Sequence, residues 1–379
     1  MLQTLTSYKV SLTTLSPLFI GAGEEQVLSP YSDFVQRGDS LLYIDTGRLR
    51  EAMQDDQALV EAYVKGVRQF ENNRSIFSLE DFITGTLGRE VDDFETRIVK
   101  IEGSVEKKHI RRFIATGGKP FIPGSSLKGA IRTAILVDWL LNRTEGKQQL
   151  DRVREHVENG HWDSLKSMNP EQACFGNIAN DALRHLRVSD SEIIDRSNLS
   201  VGEMKRVPLP LGGNKQKQKS SNIPQWSEIV GPSAETKFSL SMTTTPDETG
   251  FTFLDNQSID SLFSIINQVS LDSCLRELDE LEALNEFRDF FRFYETLEQE
   301  IKSLKANEAI LRLGGGKTWF DNSIGLSIDS DVFGEEKFLG QYLDLLRIGK
   351  IPFPSTRSAI IKDNVPFYPL GWIKLSVEA

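Results

Sequence analysis

The chain has 379 residues, 39% hydrophobic and 26% charged, with a formal net charge of −11. That balance belongs to a globular protein with room for one large core or two ordinary ones. No stretch approaches the roughly 18 uninterrupted apolar residues of a membrane-spanning helix, and the N-terminus lacks a charged region followed by an apolar block, so a cytoplasmic location is expected. Cys174 and Cys274 stand far apart in no metal-ligating spacing, and both are expected as reduced core residues, with no metal and no cofactor.

Taken alone, the acidic total argues against a nucleic-acid partner, because binding needs phosphate neutralisation by Lys and Arg. The distribution argues otherwise. Arg97, Lys100, Lys107, Lys108, Arg111, Arg112 and Lys119 crowd one segment, and "GGNKQKQKSSN" at 212–222 forms a second basic run poor in apolar residues. The acid is concentrated at 273–305.

In chain order, "YKVSLTTL" alternates apolar and polar residues and ends in "SPLFIGAG", a strand feeding a loop that contains Gly21 and Gly23. "SLLYIDTGRLREAM" predicts a short strand and a helix start, residues 49–70 continue at helical period, and Ser78 with Asp81 marks a further helix cap. The basic segment 97–114 offers Ile98, Ile101, Ile110 and Phe113 to a sheet. Helices are predicted from Ser125 to Leu141 and from Glu145 to Val157, and strands over 183–194, 237–245 and 372–378. Residues 257–306 read as two long antiparallel helices, either an amphipathic pair with a solvated acidic face or a docking surface for a basic protein. Strands at both ends with helices between them imply an α+β fold in which distant segments share a sheet.

Two glycine-containing stretches carry chemistry. "FIPGSSLKGAIRTAIL" (121–136) opens a helix, and helix starts attract anions through free N–H groups and the macrodipole. Gly124 permits close backbone approach, Ser125 and Ser126 offer hydroxyls, and Lys128 and Arg132 lie four apart on one face. A phosphodiester suits donors spread along a line; a capped helix with solvated cations is the plain alternative. "RLGGGKTWF" (312–320) imitates a P-loop, but the first glycine of GxxxxGK[ST] falls on Leu311, and "TWFDNSIGL" is a poor helix start. Gly314, Gly315 and Gly316 would instead approach a phosphate chain, with Lys317 as a cation and Trp319 as a stacking surface; a flexible turn beside a core tryptophan is the other reading.

Together with "LTTLSPLFIGAGEE", these stretches resemble, in the same order, the RAMP superfamily of CRISPR effector subunits, and within it the family of fifth Csm subunits of type III-A complexes. The resemblance spans essentially the whole chain. It implies a ferredoxin-like, RRM-like core with large helical insertions: residues 1–255 as core with insertions, 256–306 as a helical insertion, and 307–379 completing the core. It also implies a noncatalytic subunit that holds guide RNA (crRNA), supports its maturation and caps the filament of repeated RAMP backbone subunits toward the guide's 3′ end. Its partners would then be the guide, the backbone subunit and other Csm-complex proteins, with target RNA met only indirectly. RNP1-type aromatics are missing, so contact is expected through glycine loops and helix ends at Gly21, Gly23, Lys119, Gly124, Ser125, Ser126, Lys128, Arg132, Gly314–Gly316, Lys317 and Trp319. A metal-independent endoribonuclease using His109 in "EKKHIRR" is the competing activity. Asp33 is a weaker candidate for the loop aspartate with which related backbone subunits cut target RNA.

Overall fold

The computed structural model describes residues 4–23, 26–72, 77–105, 108–209, 225–244, 249–328, 336–349 and 353–378. The basic run at 212–222 and Lys107 lie outside them.

The N-terminal part contains β1 (Leu5–Thr14), β2 (Val27–Leu28), β3 (Phe34–Arg37), β4 (Ser40–Ile44), α1 (Thr46–Met53), α2 (Gln57–Asn72), α3 (Leu79–Asp81), β5 (Glu95–Ile101), β6 (Ile110–Arg111), β7 (Ala115–Thr116) and β8 (Lys119–Pro120). The middle runs through α4 (Gly124–Asn142), α5 (Thr144–Glu158), α6 (Trp162–Ser167), α7 (Pro170–Phe175), β9 (Leu186–Val188), β10 (Leu199–Pro208), β11 (Gln225–Val230) and β12 (Glu235–Thr243). After it come α8 (Thr252–Asp255), α9 (Ile259–Leu281), α10 (Arg288–Lys302), β13 (Glu308–Arg312), α11 (Trp319–Asn322), α12 (Glu336–Leu346), β14 (Thr356–Lys362), β15 (Val365–Pro369) and β16 (Trp372–Val377).

One sheet has the order β13-β16-β1-β12-β9, antiparallel throughout. Its four adjacent strands β16-β1-β12-β9, with α4 between β1 and β9 and α9 after β12, make the βαββαβ ferredoxin-like unit, closed by β16, the chain's last strand, with β13 added at the edge. β1 alternates strictly because one face is buried: Val10 and Leu12 pack with Leu240, Met242 and Leu375 against Leu127, Ile131 and Ile135 of α4 and Leu262, Phe263 and Ile266 of α9. Each such fully buried side chain contributes about 1.5–3 kcal/mol relative to exposure. The segment 256–306, expected as an insertion, therefore supplies α9 as the second helix of the core; α10 packs against α9 and β15.

A second, mixed sheet runs β2-β6-β11-β10-β5-β4-β3, with β14 and β15 attached through β10. The helices α1–α3 and the turn that follows α3 cover Val35, Leu42 and Ile44 with Leu49, Met53, Leu79 and Phe82. Helical period over 49–70 is broken because Asp56 caps α2, its Oδ1 accepting from the N–H groups of Ala58 (2.9 Å) and Leu59 (3.2 Å). Ser78 caps α3 as expected, accepting from Asp81 N–H at 3.2 Å. The strand predicted over 183–194 shrinks to β9: Asp181 turns 182–185 into a 3₁₀ turn, and after Ser189, which still bonds Ser239 of β12, Asp190 and Ser191 turn to bond Gly124 and Ile122 at the start of α4.

Two buried ionic centres tie the layers together. Within the second sheet, Glu228 accepts from the Tyr43 hydroxyl (2.7 Å), the Phe113 N–H (3.0 Å) and the Arg97 guanidinium. Between the sheets, Glu277 of α9 pairs with Arg357 of β14 (2.7 Å) and faces Arg312 of β13 (3.7 Å), which binds Asp321 of α11 (2.9 Å). All four side chains are at most 6% exposed. Burial works to raise the Asp321 carboxyl, but Arg312, the Thr318 N–H and hydroxyl, and the Ser273 hydroxyl outweigh it and hold the group below the usual carboxylate value.

A carboxyl depressed in the folded state adds stability above its unfolded pKa of about 3.9, and that stability is lost as pH falls through the folded value. Asp321→Asn is therefore expected to lower stability by about 3–5 kcal/mol at pH 7, since it removes the nearer of the two carboxylates that face the buried Arg312. It should also flatten the loss of stability below about pH 4. Denaturant unfolding of both proteins across pH 3–7 checks both effects; parallel curves would contradict the assignment.

Candidate nucleic-acid interface

The start of α4 is satisfied from within the molecule. Pro123 occupies the cap position without a side-chain cap, and the Gly124 N–H donates to Asp190 Oδ1 at 2.7 Å. The anion at this helix N-terminus is thus the protein's own carboxylate. Gly124 is required for packing: a Cβ there would lie 2.4 Å from Val188 O and 2.7 Å from Ser189 O. Ser125 is exposed and Ser126 half-buried on the first turn.

Lys128 and Arg132 do not point to an external phosphate in this structure. The Lys128 ammonium donates to the carbonyls of Leu183 and Leu186, both at 2.8 Å, and burial lowers its pKa against the opposing pull of Asp181. Arg132 bonds Asp181 at 2.8 Å and Glu171 at 3.4 Å and lies 4.1 Å over the Phe175 ring. The i, i+4 spacing read correctly as one face; the partners that neutralise it come from residues 171–186.

The N-terminal glycine loop and the GGG turn, by contrast, meet. Gly315 N–H donates to Phe19 O at 2.9 Å, and Gly21 bridges to Phe113 beside β6. Gly314 has φ 73 and would place a Cβ 2.2 Å from Phe19 O, so glycine is fixed there by conformation and by packing. Gly316 is closed off by Leu370, 2.3 Å from its would-be Cβ. Gly315 is different: it is exposed, and the one tight contact of an added Cβ would be with the edge of the Phe19 ring at 3.1 Å, the Phe19 carbonyl standing at 3.7 Å. Gly21 and Gly23 are exposed as well, with open space at Gly23. Arg111 lies over the same Phe19 ring at 4.8 Å, with its guanidinium 3.6 Å from the would-be Cβ of Gly21. The result is a shallow surface of two glycine turns on a phenylalanine floor with an arginine at its side. Arg112 follows in the same strand segment, and exposed Lys119 lies in the β7–β8 hairpin just beyond it. The sequence presents Arg111 only as part of a basic segment; its contact with Phe19, in the segment between β1 and β2, carries no local sequence signal.

Lys317 and Trp319 sit inward of this surface. Lys317 is half-buried, and burial lowers its pKa despite Asp321 nearby. The Trp319 ring packs edge-on against Phe320 and Phe353, each at 5.2 Å between centroids, with Tyr342 at 6.3 Å, so it serves an aromatic cluster and not a stacking platform. "TWFDNS" does start a helix, against expectation: Thr318 and Asp321 form a reciprocal capping box. His109 meets the edge of Tyr31 at 5.7 Å and gains no carboxylate hydrogen bond among the described residues. Asp33 Oδ2 is occupied by the Ser29 N–H at 2.6 Å. Among the described residues no group of three or more His, Cys, Asp or Glu is placed to hold a metal ion.

An α+β protein built on a ferredoxin-like sheet, with glycine turns gathered beside a basic strand, defines the class. The RAMP superfamily model matches residues 11–320, and the chain belongs to that superfamily. It is 26% identical to the CRISPR system protein Csm5 of Methanocaldococcus jannaschii, over 100% of this chain and 90% of the relative. With Csm5 of Streptococcus thermophilus it shares 29% identity over 64% of this chain and 66% of that protein. Its fold is similar to that of a chain in the Csm–crRNA–target RNA ternary complex of a type III-A system (TM-score 0.69, 22% identity, 98% of this chain and 100% of that one). It is likewise similar to the crystal structure of T. onnurineus Csm5 (TM-score 0.63, 22% identity, 96% and 99%).

The α4 geometry predicts that Gly124→Ala lowers stability by about 1–3 kcal/mol through overpacking against the 188–189 backbone. Lys128→Ala is expected to leave the salt dependence of RNA binding unchanged, because its ammonium is committed to carbonyls inside the fold. Thermal unfolding tests the first substitution, and RNA titrations at several salt concentrations test the second.

Proposed function

We propose that this RAMP chain is a noncatalytic guide-RNA-binding subunit of a type III-A CRISPR ribonucleoprotein. In that role it caps the filament of repeated backbone subunits toward the guide's 3′ end and supports guide maturation and antiviral defence. The observation that carries the reading is the convergence of the two glycine turns on Phe19 beneath Arg111. It creates a place where a sugar–phosphate backbone can come close to main chain with a guanidinium beside it. The full-length likeness to Csm5 proteins, and to a chain of a complex containing guide and target RNA, supports the same partners here: guide RNA, the backbone subunit and other Csm proteins, with target RNA reached through the guide. Gly21, Gly23, Gly315, Arg111, Arg112 and Lys119 form the contact surface in this proposal. Gly124, Gly314, Gly316, Lys128, Arg132 and Trp319 build the scaffold under it. Among the described residues no helix is long and apolar enough to cross a membrane.

The endoribonuclease reading requires a base or acid working with His109, and the ring that meets His109 is that of Tyr31, which it touches edge-on.

Arg111→Ala is expected to weaken guide-RNA binding and to reduce the magnitude of the salt slope by about 0.7, one single-strand phosphate contact. Gly315→Val, which asks the Phe19 ring to give way at an exposed position, should lower RNA affinity about tenfold or more while shifting Tm by only a few degrees. Unchanged affinity in both folded variants would refute the surface. Incubation of the wild-type protein with repeat-containing RNA in EDTA is expected to yield no discrete cleavage, and His109→Ala should leave guide maturation intact. Cleavage by the wild type that is lost in His109→Ala would replace this function with the nuclease.

A further inference from the structure

Strand alternation sorts the charges of the second sheet. Lys100 of β5 pairs with Ser200 of β10, and Arg111 of β6 is linked to β10 through Ser227 and Gly202. Ser200, Gly202 and Arg206 recur at even spacing along β10, so Lys100, Arg111 and Arg206 all lie on one face of the sheet. Their register partners there, Ser40, Val27, Ser200, Ser227 and Ser358, carry no charge. The carboxylates of β10 and β11, Glu203 and Glu228, take the opposite face and are held by Lys205 and Arg97. Lys100 and Arg206 are exposed, and neither side chain has a hydrogen bond or ion pair among the described residues. The floor of the glycine-turn surface stands on this same face, because Phe19 packs with Met204, Ile229 and Ile360, which belong to it by register. Beside Lys100, Ile98 is 59% exposed although β5 is an interior strand between β4 and β10, so the protein leaves this part of the face uncovered.

We propose that the guide strand that meets the glycine turns runs on across this face of the second sheet, with Lys100 and Arg206 each neutralising one of its phosphates. This inference rests on the reading of the chain as a guide-RNA-binding subunit and extends its contact surface to two strands that the reading does not use. Spacing argues for a polymer. Arg206 stands six residues beyond Ser200, about 20 Å along β10, and Arg111 lies two strands, about 10 Å, to the other side. No single phosphate or carboxylate can meet these cations together, whereas successive phosphates of one chain can. Charge complementarity gives the sign of the occupant: three cations on neutral register partners leave the face positive on an otherwise acidic protein. Continuity gives its identity, since the same face carries Phe19 and the glycine turns, where main chain is bare enough for a sugar–phosphate backbone to approach.

The test compares wild type, Lys100→Ala, Arg206→Ala, the double reversal Lys100→Glu/Arg206→Glu, Arg111→Ala and, as an exposed cation of α5, the control Lys147→Glu. Each full chain is titrated with fluorescein-labelled guide RNA at several salt concentrations, its Tm is measured, and its co-purification with the other protein subunits is scored. Because Lys100 and Arg206 are exposed and unpaired, their substitution should leave Tm unchanged. Each of the two alanine variants should reduce the magnitude of the salt slope by about 0.7. The double reversal should lower guide affinity at least tenfold, and Lys147→Glu should alter neither slope nor affinity. Normal guide binding by the folded double reversal, with Arg111→Ala still weakened, overturns this path and leaves the glycine-turn surface standing. Normal guide binding by the double reversal with co-purification lost makes the face a protein interface and overturns the path as well. An equal loss of affinity in Lys147→Glu reduces the effect to net charge and also overturns it. A wild-type chain that does not bind guide RNA overturns the function itself, and the path with it.

Discussion

The two sheets are joined by a carboxylate shared between two arginines. Glu277 projects from α9, the second helix of the ferredoxin-like unit, and meets Arg312 from the edge of the first sheet and Arg357 from the second. Arg312 then carries the chain of charges to Asp321, which caps the short helix behind the GGG turn. Such groups are too costly to bury singly, and removal of one leaves the others uncompensated. The arrangement therefore has one acceptable geometry. In that geometry β13, α9, α11 and β14 are fixed relative to each other, and Gly314 and Gly315 are presented to Phe19.

This explains why the family motifs were legible in sequence and their local roles were not. Regular periodicity identified β1, β12, β16, α4, α5, α9 and α10, because each buries one face and the pattern is contained within the element. The strands β10, β11, β13, β14 and β15 escaped. β13 is a short, nearly continuous buried run without alternation, and β11 carries Glu228, a charge that belongs in a sheet interior only because Tyr43, Arg97 and Phe113 meet it there. The partners that decide the fate of the motif residues are distant in the chain. Asp190 lies 66 residues from Gly124, and Leu183 lies 55 from Lys128. A helix start with a lysine and an arginine four apart looks the same on paper whether it faces a phosphodiester or a returning loop.

Glycines separate by what a Cβ would meet at each. At Gly124, Gly314 and Gly316 the obstacle includes the protein's own backbone within 2.2–2.7 Å, so a side chain is excluded whatever ligand is or is not present. Gly23 has open space but a φ of 126 that strains any side chain, so it belongs with the first set, whereas at Gly21 and Gly315 the nearest atoms are the ring of Phe19, which can yield by a few tenths of an ångström. Loss of function at the first set carries information about folding, and at the second about what approaches from outside. The same division bears on the conflict between an acidic chain and the anionic partner proposed for it. A net charge of −11 is compatible with RNA binding when the acid of α9 and α10 is remote in sequence from Arg111, Arg112 and Lys119, and when a few cations are concentrated beside main chain bare enough for a phosphate to approach. Affinity on such a surface depends on few contacts.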